Sequence, residues 1–262
     1  MLRLLSTLTL WLAGALAVHA GIKTEVIEYQ HGDKTLEGYL AYDDSVQEKR
    51  PGVLIVHEWW GHNPYVRKRA EQLAASGYVA FALDMYGKGV LAKNAQDAAA
   101  LAGQFKSDPQ LLRGRAGAGL AVLQKHPAVD PRRLAAIGYC FGGTVVLELA
   151  RGGVDLAGVV SFHGGLKTQN PADAKTMKAR VLVLHGADDP LVPESEVAAF
   201  AKEMRDAKVD WQMVSYGGAV HSFTNPDAGN DPKSGVAYDE RADRRSFFAM
   251  LVFFNEIFDG KK

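Results

Sequence analysis

The sequence lacks a second cysteine, an excess of charge of either sign and any low-complexity tract. Cys140 is the only cysteine among the 262 residues, so no disulfide can form within the chain. Thirty basic residues balance thirty acidic ones, which removes the electrostatic reason to expect nucleic acid as a partner. Hydrophobic residues make up 47% of the chain, which suits one α/β domain with a large core.

One long uncharged run stands at the N-terminus. It extends from residue 4 to residue 18, follows the basic Arg3, and ends in the small-residue pattern Val18-His19-Ala20. This layout is typical of a secretory signal peptide, and the run is shorter than the roughly 20 residues that a membrane span needs. We therefore expect a signal peptide over residues 1–20, a single mature domain over residues 21–262, a periplasmic or secreted location and no stable membrane association after cleavage. The alternative is an uncleaved N-terminal anchor.

Short apolar runs alternate with longer amphipathic segments along the rest of the chain. Strands are expected at residues 25–29, 36–42, 52–57, 78–83, 134–138, 156–162, 181–185 and 211–216, and helices at residues 65–75, 95–105, 110–124, 142–150, 194–207 and 239–258. Continuous apolar strands between helices indicate a mostly parallel central sheet with helices on both faces. The first two strands predict an antiparallel hairpin at one edge. In such sheets ligands bind at the carboxyl ends of the strands.

Cys140 lies in the segment Gly138-Tyr139-Cys140-Phe141-Gly142, between a predicted strand and a predicted helix. Small residues two positions before and after it are typical of the nucleophile elbow, a sharp turn that holds a reactive side chain clear of a parallel sheet. Glycines suit a strained turn in which a side chain would clash. The alternative for a lone cysteine is an inert core thiol. The flanking glycines favour the reactive interpretation.

Two further strand ends carry residues that would activate this thiol. Asp188 and Asp189 follow the strand at 181–185, and His221 follows a glycine-containing loop after the strand at 211–216. The chain order of nucleophile, acid and histidine is that of α/β-hydrolases. A neutral thiol attacks carbonyls poorly, so His221 would take its proton and an aspartate would fix the histidine tautomer. Asp189 is the preferred acid, and Asp188 is the alternative.

These segments resemble the dienelactone hydrolase family, α/β-hydrolases with a cysteine nucleophile. The resemblance runs from about residue 25 to residue 258 and also includes His57-Glu58-Trp59-Trp60-Gly61 and His221-Ser222-Phe223. It implies the α/β-hydrolase fold, a triad of Cys140, Asp189 and His221, and an acyl-enzyme intermediate on the thiol. It also implies that the enzyme uses no metal and no organic cofactor.

The resemblance assigns roles to three residues beside the nucleophile. It implies that the backbone amides of Trp59 and Phe141 form the oxyanion hole. It further implies that Glu58 contacts the resting thiol and modulates it, because a nearby negative charge favours the neutral thiol, which resists oxidation. The alternative for Glu58 is a structural ion pair with a basic residue.

The chain departs from the family in the residues that would bind a substrate carboxylate. Family members that act on dienelactone carry arginines for this purpose, but no arginine closely follows His221 and only Lys88 follows the Asp84-Met85-Tyr86 segment. Lysine lacks the bidentate fork that suits a carboxylate. We therefore expect a small-molecule ester or lactone other than dienelactone itself. The aromatic pocket wall is predicted to include Trp60, Tyr86, His163 and Phe223.

The sequence thus predicts an exported hydrolase of carboxylic esters or lactones. The alternative from another class is a small-molecule-binding protein on a hydrolase scaffold that has lost its chemistry. All three predicted triad members are present, which favours the enzyme. A thiol redox protein is disfavoured because no second cysteine is there to resolve an oxidised Cys140.

Overall fold

The computed structural model describes residues 21–259, in which eight strands form one sheet. The strands are β1 Ile22–His31, β2 Lys34–Asp43, β3 Arg50–Val56, β4 Val79–Leu83, β5 Val129–Tyr139, β6 Gly158–Phe162, β7 Arg180–Gly186 and β8 Trp211–Tyr216. Their order across the sheet is β1-β2-β4-β3-β5-β6-β7-β8. β2 is antiparallel to both β1 and β4, and all other neighbours are parallel. The predicted signal peptide lies outside the described residues.

Six α-helices cover the two faces of this sheet. They are α1 Pro64–Ala75, α2 Ala95–Ser107, α3 Pro109–Lys125, α4 Phe141–Arg151, α5 Glu194–Ala207 and α6 Glu240–Asp259. Helices α1 and α6 contribute to the core on one face, and α2 to α5 contribute to the core on the other. The predicted mostly parallel sheet with helices on both faces and an N-terminal antiparallel hairpin is confirmed. None of these six helices combines the length and the apolar character that crossing a bilayer requires.

Burial accounts for the composition of the strands. Residues 53–56 of β3 are all apolar and fully buried, because helices cover both sides of the central strands. The edge strand β1 instead mixes exposed and half-buried positions, and Tyr29 is its single buried residue. An edge strand with one solvent-exposed face alternates polar and apolar residues, and this alternation is the reason why the hairpin could be predicted from the sequence.

A side-chain cap sets the start of α3. Asp108 accepts hydrogen bonds at 3.0 Å from the backbone amides of Gln110 and Leu111, and Pro109 occupies the first position of α3. Proline is tolerated there because the first helical amide needs no partner within the helix. The predicted helix start at this Asp-Pro pair is confirmed to within one residue.

Two parts of the fold differ from the prediction. Strand β5 begins at Val129, well before the predicted start at residue 134, because its first residues pair with Arg50 and Pro51 before the register shifts. The polar residues between 130 and 133 hide this extension from an apolar pattern. Three short 3-10 helices were also missed, and each begins with a proline after an Asn or Asp cap: Pro171–Thr176, Pro226–Ala228 and Pro232–Ser234.

The parallel strands bring four loops together at one edge of the sheet. Strands β3, β5, β7 and β8 run in the same direction, so their carboxyl ends all face that edge. The segments that follow these strands carry Glu58, Cys140, Asp189 and His221. This is the edge at which ligands bind in open α/β sheets.

We expect the close approach of α4 to the sheet to be intolerant of any added side chain. A Cβ atom at Gly142 would overlap the backbone carbonyl of Val56, whereas one at Gly103, inside α2, would meet no heavy atom within 4 Å. Gly142→Ala should therefore lower the free energy of unfolding by about 1–3 kcal/mol or more. Gly103→Ala is the matched control and should raise it by about 0.5–1 kcal/mol. Urea denaturation measures both, and equal effects of the two substitutions would contradict the prediction.

Candidate active site

Cys140 occupies a strained turn between β5 and α4. Its φ and ψ angles are 53° and −115°, in a region that residues other than glycine rarely adopt. The turn is so tight that a Cβ atom at Gly138 would overlap the backbone carbonyl of Gly142. The thiol is half-buried, and its residue directly precedes the first helical position of α4. The predicted strand-to-helix turn at Cys140 is therefore present in the fold.

His221 links the thiol to a carboxylate. Its Nε2 lies 3.1 Å from Cys140 Sγ, and its Nδ1 lies 2.8 Å from Asp189 Oδ2. Asp189 is buried and also accepts a hydrogen bond at 2.8 Å from the Leu191 amide, whereas Asp188 is exposed. The structure thus brings Asp189, and not Asp188, against the histidine.

The charge of its neighbours determines the protonation of His221. Burial disfavours the imidazolium, but the negative charge of the Cys140 thiolate and the hydrogen bonds with Asp189 and Cys140 outweigh this effect. Together they raise the pKa of His221 to about 10. A protonated imidazole at this position stabilises a thiolate, which is the nucleophilic form of cysteine.

Glu58 is buried beside this pair and is held by uncharged groups. The side chains of Ser222 and Asn225 donate hydrogen bonds to its two carboxylate oxygens, at 3.1 Å and 2.6 Å. Burial raises the pKa of Glu58, and these two hydrogen bonds oppose the rise. Among the described hydrogen bonds, Glu58 has none to Cys140, so the direct thiol contact implied by the family resemblance is not seen. The alternative of an ion pair is not seen either, because its partners are neutral.

The backbone amides predicted to form an oxyanion hole lie on two sides of Cys140. Phe141 is the first residue of α4, and Trp59 lies in the loop after β3. Within residues 21–259 neither amide donates a hydrogen bond to another protein group. A free amide at a helix N-terminus favours negative charge, because the helix dipole adds to the hydrogen bond. Both residues line the same cavity as Cys140.

A cavity of about 820 Å³, named here the main cavity, lies against Cys140 and His221. Trp60 lines it, as the sequence predicted. The other predicted wall residues, Tyr86, His163 and Phe223, do not line it, and this part of the prediction is wrong. Its apolar wall instead comes from residues of several loops: Trp59, Leu91, Phe141, Leu191, Val192 and Val236.

Tyr86 and Phe223 are buried core residues that pack under the loops of the site. The Tyr86 hydroxyl donates a hydrogen bond at 3.1 Å to the backbone carbonyl of Trp59, and its ring lies 5.9 Å from that of Phe141. Phe223 is fully buried, with its ring 5.5 Å from that of Tyr216. An aromatic residue near a site motif does not reveal which side of the loop it faces.

His163 lies under the nucleophile instead of in the cavity wall. Its Nδ1 accepts a hydrogen bond at 3.1 Å from the Cys140 amide, and its Nε2 lies 2.7 Å from Thr224 Oγ1. A nitrogen that accepts carries no proton, so the neutral ring donates through Nε2 to Thr224. Burial lowers the pKa of His163 well below its usual value, and the nearby charges of His221 and Arg69 lower it further.

Several residues of the site were not predicted from the sequence. Ser222 and Asn225, which hold Glu58, closely follow His221 in the chain but were assigned no role. Lys106 lines the main cavity, whereas Lys88, the basic residue after the Asp84-Met85-Tyr86 segment, is exposed and forms an ion pair with Glu28. Nothing in the local sequence marks Lys106, because only the packing of α2 brings it to the site.

No group of three or more His, Cys, Asp or Glu side chains in the part of the chain that the structure describes is arranged to hold a metal ion. The polar groups at the site contact one another: His221 contacts Cys140 and Asp189, and Glu58 accepts hydrogen bonds from two neutral side chains. The chemistry that this arrangement supports is proton transfer between Cys140 and His221, next to free backbone amides.

Comparisons with known proteins agree with this geometry. The model of the dienelactone hydrolase family matches residues 36–258. The solved structure of m3DLH is 42% identical, with a TM-score of 0.87, and the match covers 90% of this chain and 99% of that one. The dienelactone hydrolase-like promiscuous phosphotriesterase P91, from metagenomic libraries, is 40% identical with a TM-score of 0.86 and the same coverage of both chains. These matches confirm the predicted α/β-hydrolase fold.

A curated relative from Bradyrhizobium sp. adds a named reaction to the comparison. It is called "Probable 2-oxo-3-(5-oxofuran-2-ylidene)propanoate lactonase" and is 29% identical over 200 residues. The match covers 71% of this chain and 79% of the relative. Lactone opening is therefore the reaction in this relative's name.

We predict that the protonation of His221 depends on the charge of Cys140. Removing the thiolate removes a negative charge that favours the imidazolium, so Cys140→Ala should lower the pKa of His221 from its value of about 10. A pH titration of the histidine ring signals by NMR, in the wild type and in the variant, measures the change. His126 lies at the other end of the sheet and is the internal control, whose pKa should not move. An unchanged His221 titration would show that the thiol carries no charge beside it.

Proposed function

The chain belongs to the dienelactone hydrolase family and is a hydrolase of ester bonds, and we propose that it cleaves carboxylic esters or lactones through a triad of Cys140, His221 and Asp189. One observation carries the proposal. The thiol, the imidazole and the carboxylate form a continuous line of contacts of 3.1 Å and 2.8 Å at the carboxyl edge of the sheet. A nucleophile, a base and an orienting acid are the three parts that covalent acyl transfer needs.

In the first half of the reaction His221 Nε2 holds the proton of Cys140, and the thiolate attacks the substrate carbonyl carbon. The amides of Trp59 and Phe141 donate hydrogen bonds to the oxyanion that forms, a contribution of about 3–4 kcal/mol for each such donor. When the tetrahedral intermediate collapses, the C–O bond breaks and His221 gives its proton to the leaving alkoxide. A thioester on Cys140 remains, and in a lactone the new alcohol stays attached to the acyl group.

In the second half water replaces the alcohol. His221 Nε2 takes a proton from a water molecule while the water oxygen attacks the carbonyl carbon of the thioester. The same two amides stabilise the second oxyanion, and its collapse breaks the C–S bond and releases the carboxylic acid. Asp189 holds Nδ1 of the ring at 2.8 Å throughout, which keeps Nε2 directed at the sulfur.

Glu58 modulates the thiol through its charge and not through a direct bond. As a carboxylate, buried beside Cys140 and His221, it favours the imidazolium and disfavours the thiolate. Ser222 and Asn225 hold it in place, so a substrate in the main cavity meets a fixed negative group instead of a mobile one. This arrangement supports the modulating role that the family resemblance implies.

The wall of the main cavity favours neutral or hydrophobic esters. Within residues 21–259 no arginine lines it, and Lys106 is the only basic residue of its described lining other than His221. The Bradyrhizobium relative is named as a lactonase and P91 as a phosphotriesterase, which supports carbonyl esters first and phosphotriesters as a second candidate. The alternative of an inactive binding protein is not favoured, because a decayed site has no reason to keep all three triad residues and both contacts between them.

We propose that the enzyme is exported. The support is the layout of residues 1–20, with a basic start, an uncharged run and small residues before the cut. Expression in a bacterial host followed by intact-mass measurement of the periplasmic fraction should give a chain that begins at Gly21. Retention of Met1 in the mature product would contradict export by signal cleavage.

We expect Cys140 to become acylated during turnover. Wild-type protein mixed with p-nitrophenyl acetate and quenched rapidly should gain one acetyl group on Cys140, as read by mass spectrometry of peptides. Cys140→Ala should form no adduct, and both it and His221→Ala should lose turnover by at least about 10³-fold, because nucleophile and base act as a unit.

The two adjacent aspartates provide a matched control for this experiment. Asp189→Asn should lower kcat by about 10²- to 10⁴-fold, since the amide favours the wrong histidine tautomer. Asp188→Asn changes an exposed neighbour in the same way and should leave kcat within about twofold. Equal losses in both variants would reject Asp189 as the orienting acid. If the wild type hydrolysed p-nitrophenyl acetate no faster than Cys140→Ala and His221→Ala do, the triad as a whole would be rejected.

A further inference from the structure

A second cavity of about 400 Å³ adjoins the main cavity. We name it the second chamber. The two share four lining residues: Lys106, Thr144, Gly165 and Leu191. The mechanism uses only groups around Cys140, so it assigns no role to this extra volume. A ligand site of ordinary size already fits within the main cavity alone, since pockets for drug-sized molecules measure about 300–1,000 Å³.

The second chamber offers apolar surface and no unpaired acid. Its apolar wall is formed by Phe105, Pro109, Leu112 and Leu191. Its two carboxylates are already satisfied within the protein. Glu148 bonds to Arg113 at 2.8 Å and to Arg151 at 3.1 Å, and Glu196 accepts hydrogen bonds from the backbone amides of residues 166 and 167. The wall therefore favours an apolar occupant over a cationic one.

Gly165 keeps the junction between the two cavities open. Its φ lies outside the left-handed region, so its backbone conformation does not require glycine. A Cβ atom there would lie 3.1 Å from Thr144 Oγ1 and 3.7 Å from Glu196 Oε1, which means that any side chain would fill the shared boundary. Thr144 donates a hydrogen bond at 3.0 Å to the Gly165 carbonyl and fixes this edge. The absence of a side chain at Gly165 thus leaves space for a ligand between the main cavity and the second chamber.

We propose that the second chamber binds an apolar arm of the substrate, so that the preferred substrates are carboxylic esters with an extended apolar acyl or alcohol group. The inference rests on the proposed function and specifies its substrate class. The reacting carbonyl would sit at Cys140, and the arm would pass Gly165 toward Leu112. Each methylene that enters the chamber should raise kcat/KM by about fourfold until the space is filled.

The test compares substrates with short and long arms. We would measure kcat/KM for p-nitrophenyl acetate, p-nitrophenyl octanoate, ethyl acetate and octyl acetate. The two long substrates, p-nitrophenyl octanoate and octyl acetate, carry the arm on opposite sides of the ester. At least one long substrate should exceed its short counterpart, p-nitrophenyl acetate or ethyl acetate, by about tenfold or more. Gly165→Val, at the junction, and Thr168→Trp, on the rim of the second chamber only, should each reduce this long-to-short ratio about tenfold.

Ser107→Trp is the matched control, because Ser107 is exposed and lines neither cavity. It should leave the ratio within about twofold. If acetylation of Cys140 proceeds but neither variant changes the ratio, the second chamber does not bind the arm and the triad stands. If no ester acylates Cys140, the proposed function fails, and with it the inference that rests on it.

Discussion

The rest of the site depends on the contact between β5 and α4, where backbone meets backbone. Gly138 leaves room for this approach, and Gly142 leaves room for the neighbouring backbone at the end of β3, where a Cβ atom would overlap the Val56 carbonyl. The chain must then turn sharply at Cys140, whose φ of 53° lifts the side chain away from the sheet. The same turn presents the first amide of α4 beside the thiol. A single steric constraint thus positions both a nucleophile and a donor for the oxyanion.

The electrostatics of the site depend on which groups surround His221 and which surround Glu58. His221 lies between the Cys140 sulfur and the buried carboxylate of Asp189, and its interactions with both favour the imidazolium strongly enough to overcome burial. A second acid, Glu58, is buried close by and forms no salt bridge within residues 21–259. Hydrogen bonds from Ser222 and Asn225 hold it instead. The thiol therefore lies between one group that stabilises its charge and another that opposes it, a balance that a bound substrate can shift.

The helices on the two faces have different consequences for the substrate. The face with α2 to α5 bounds the second chamber, and residues of α2 and α3 form much of its apolar wall. Helices α1 and α6 carry the buried Arg69 and the half-buried Asp243, whose side chains lie 2.6 Å apart behind the loop that carries His221. The Arg69 guanidinium also hydrogen-bonds to the backbone carbonyl of Thr224. One face thus shapes the space for the ester, and the other stabilises the loop that holds the base.

The sequence by itself determined the element order, the parallel sheet and the strand ends that carry Cys140, the Asp188-Asp189 pair and His221, because apolar periodicity and strand-end loops are local properties. It could not decide which adjacent aspartate meets the histidine, since that depends on how the loop after β7 bends. It also misplaced Tyr86, His163 and Phe223, because local sequence does not show which side of a loop a side chain faces. Lys106, Gly165 and the second chamber came only from tertiary packing, which joins α2, α4 and the loop after β6, segments far apart in the chain.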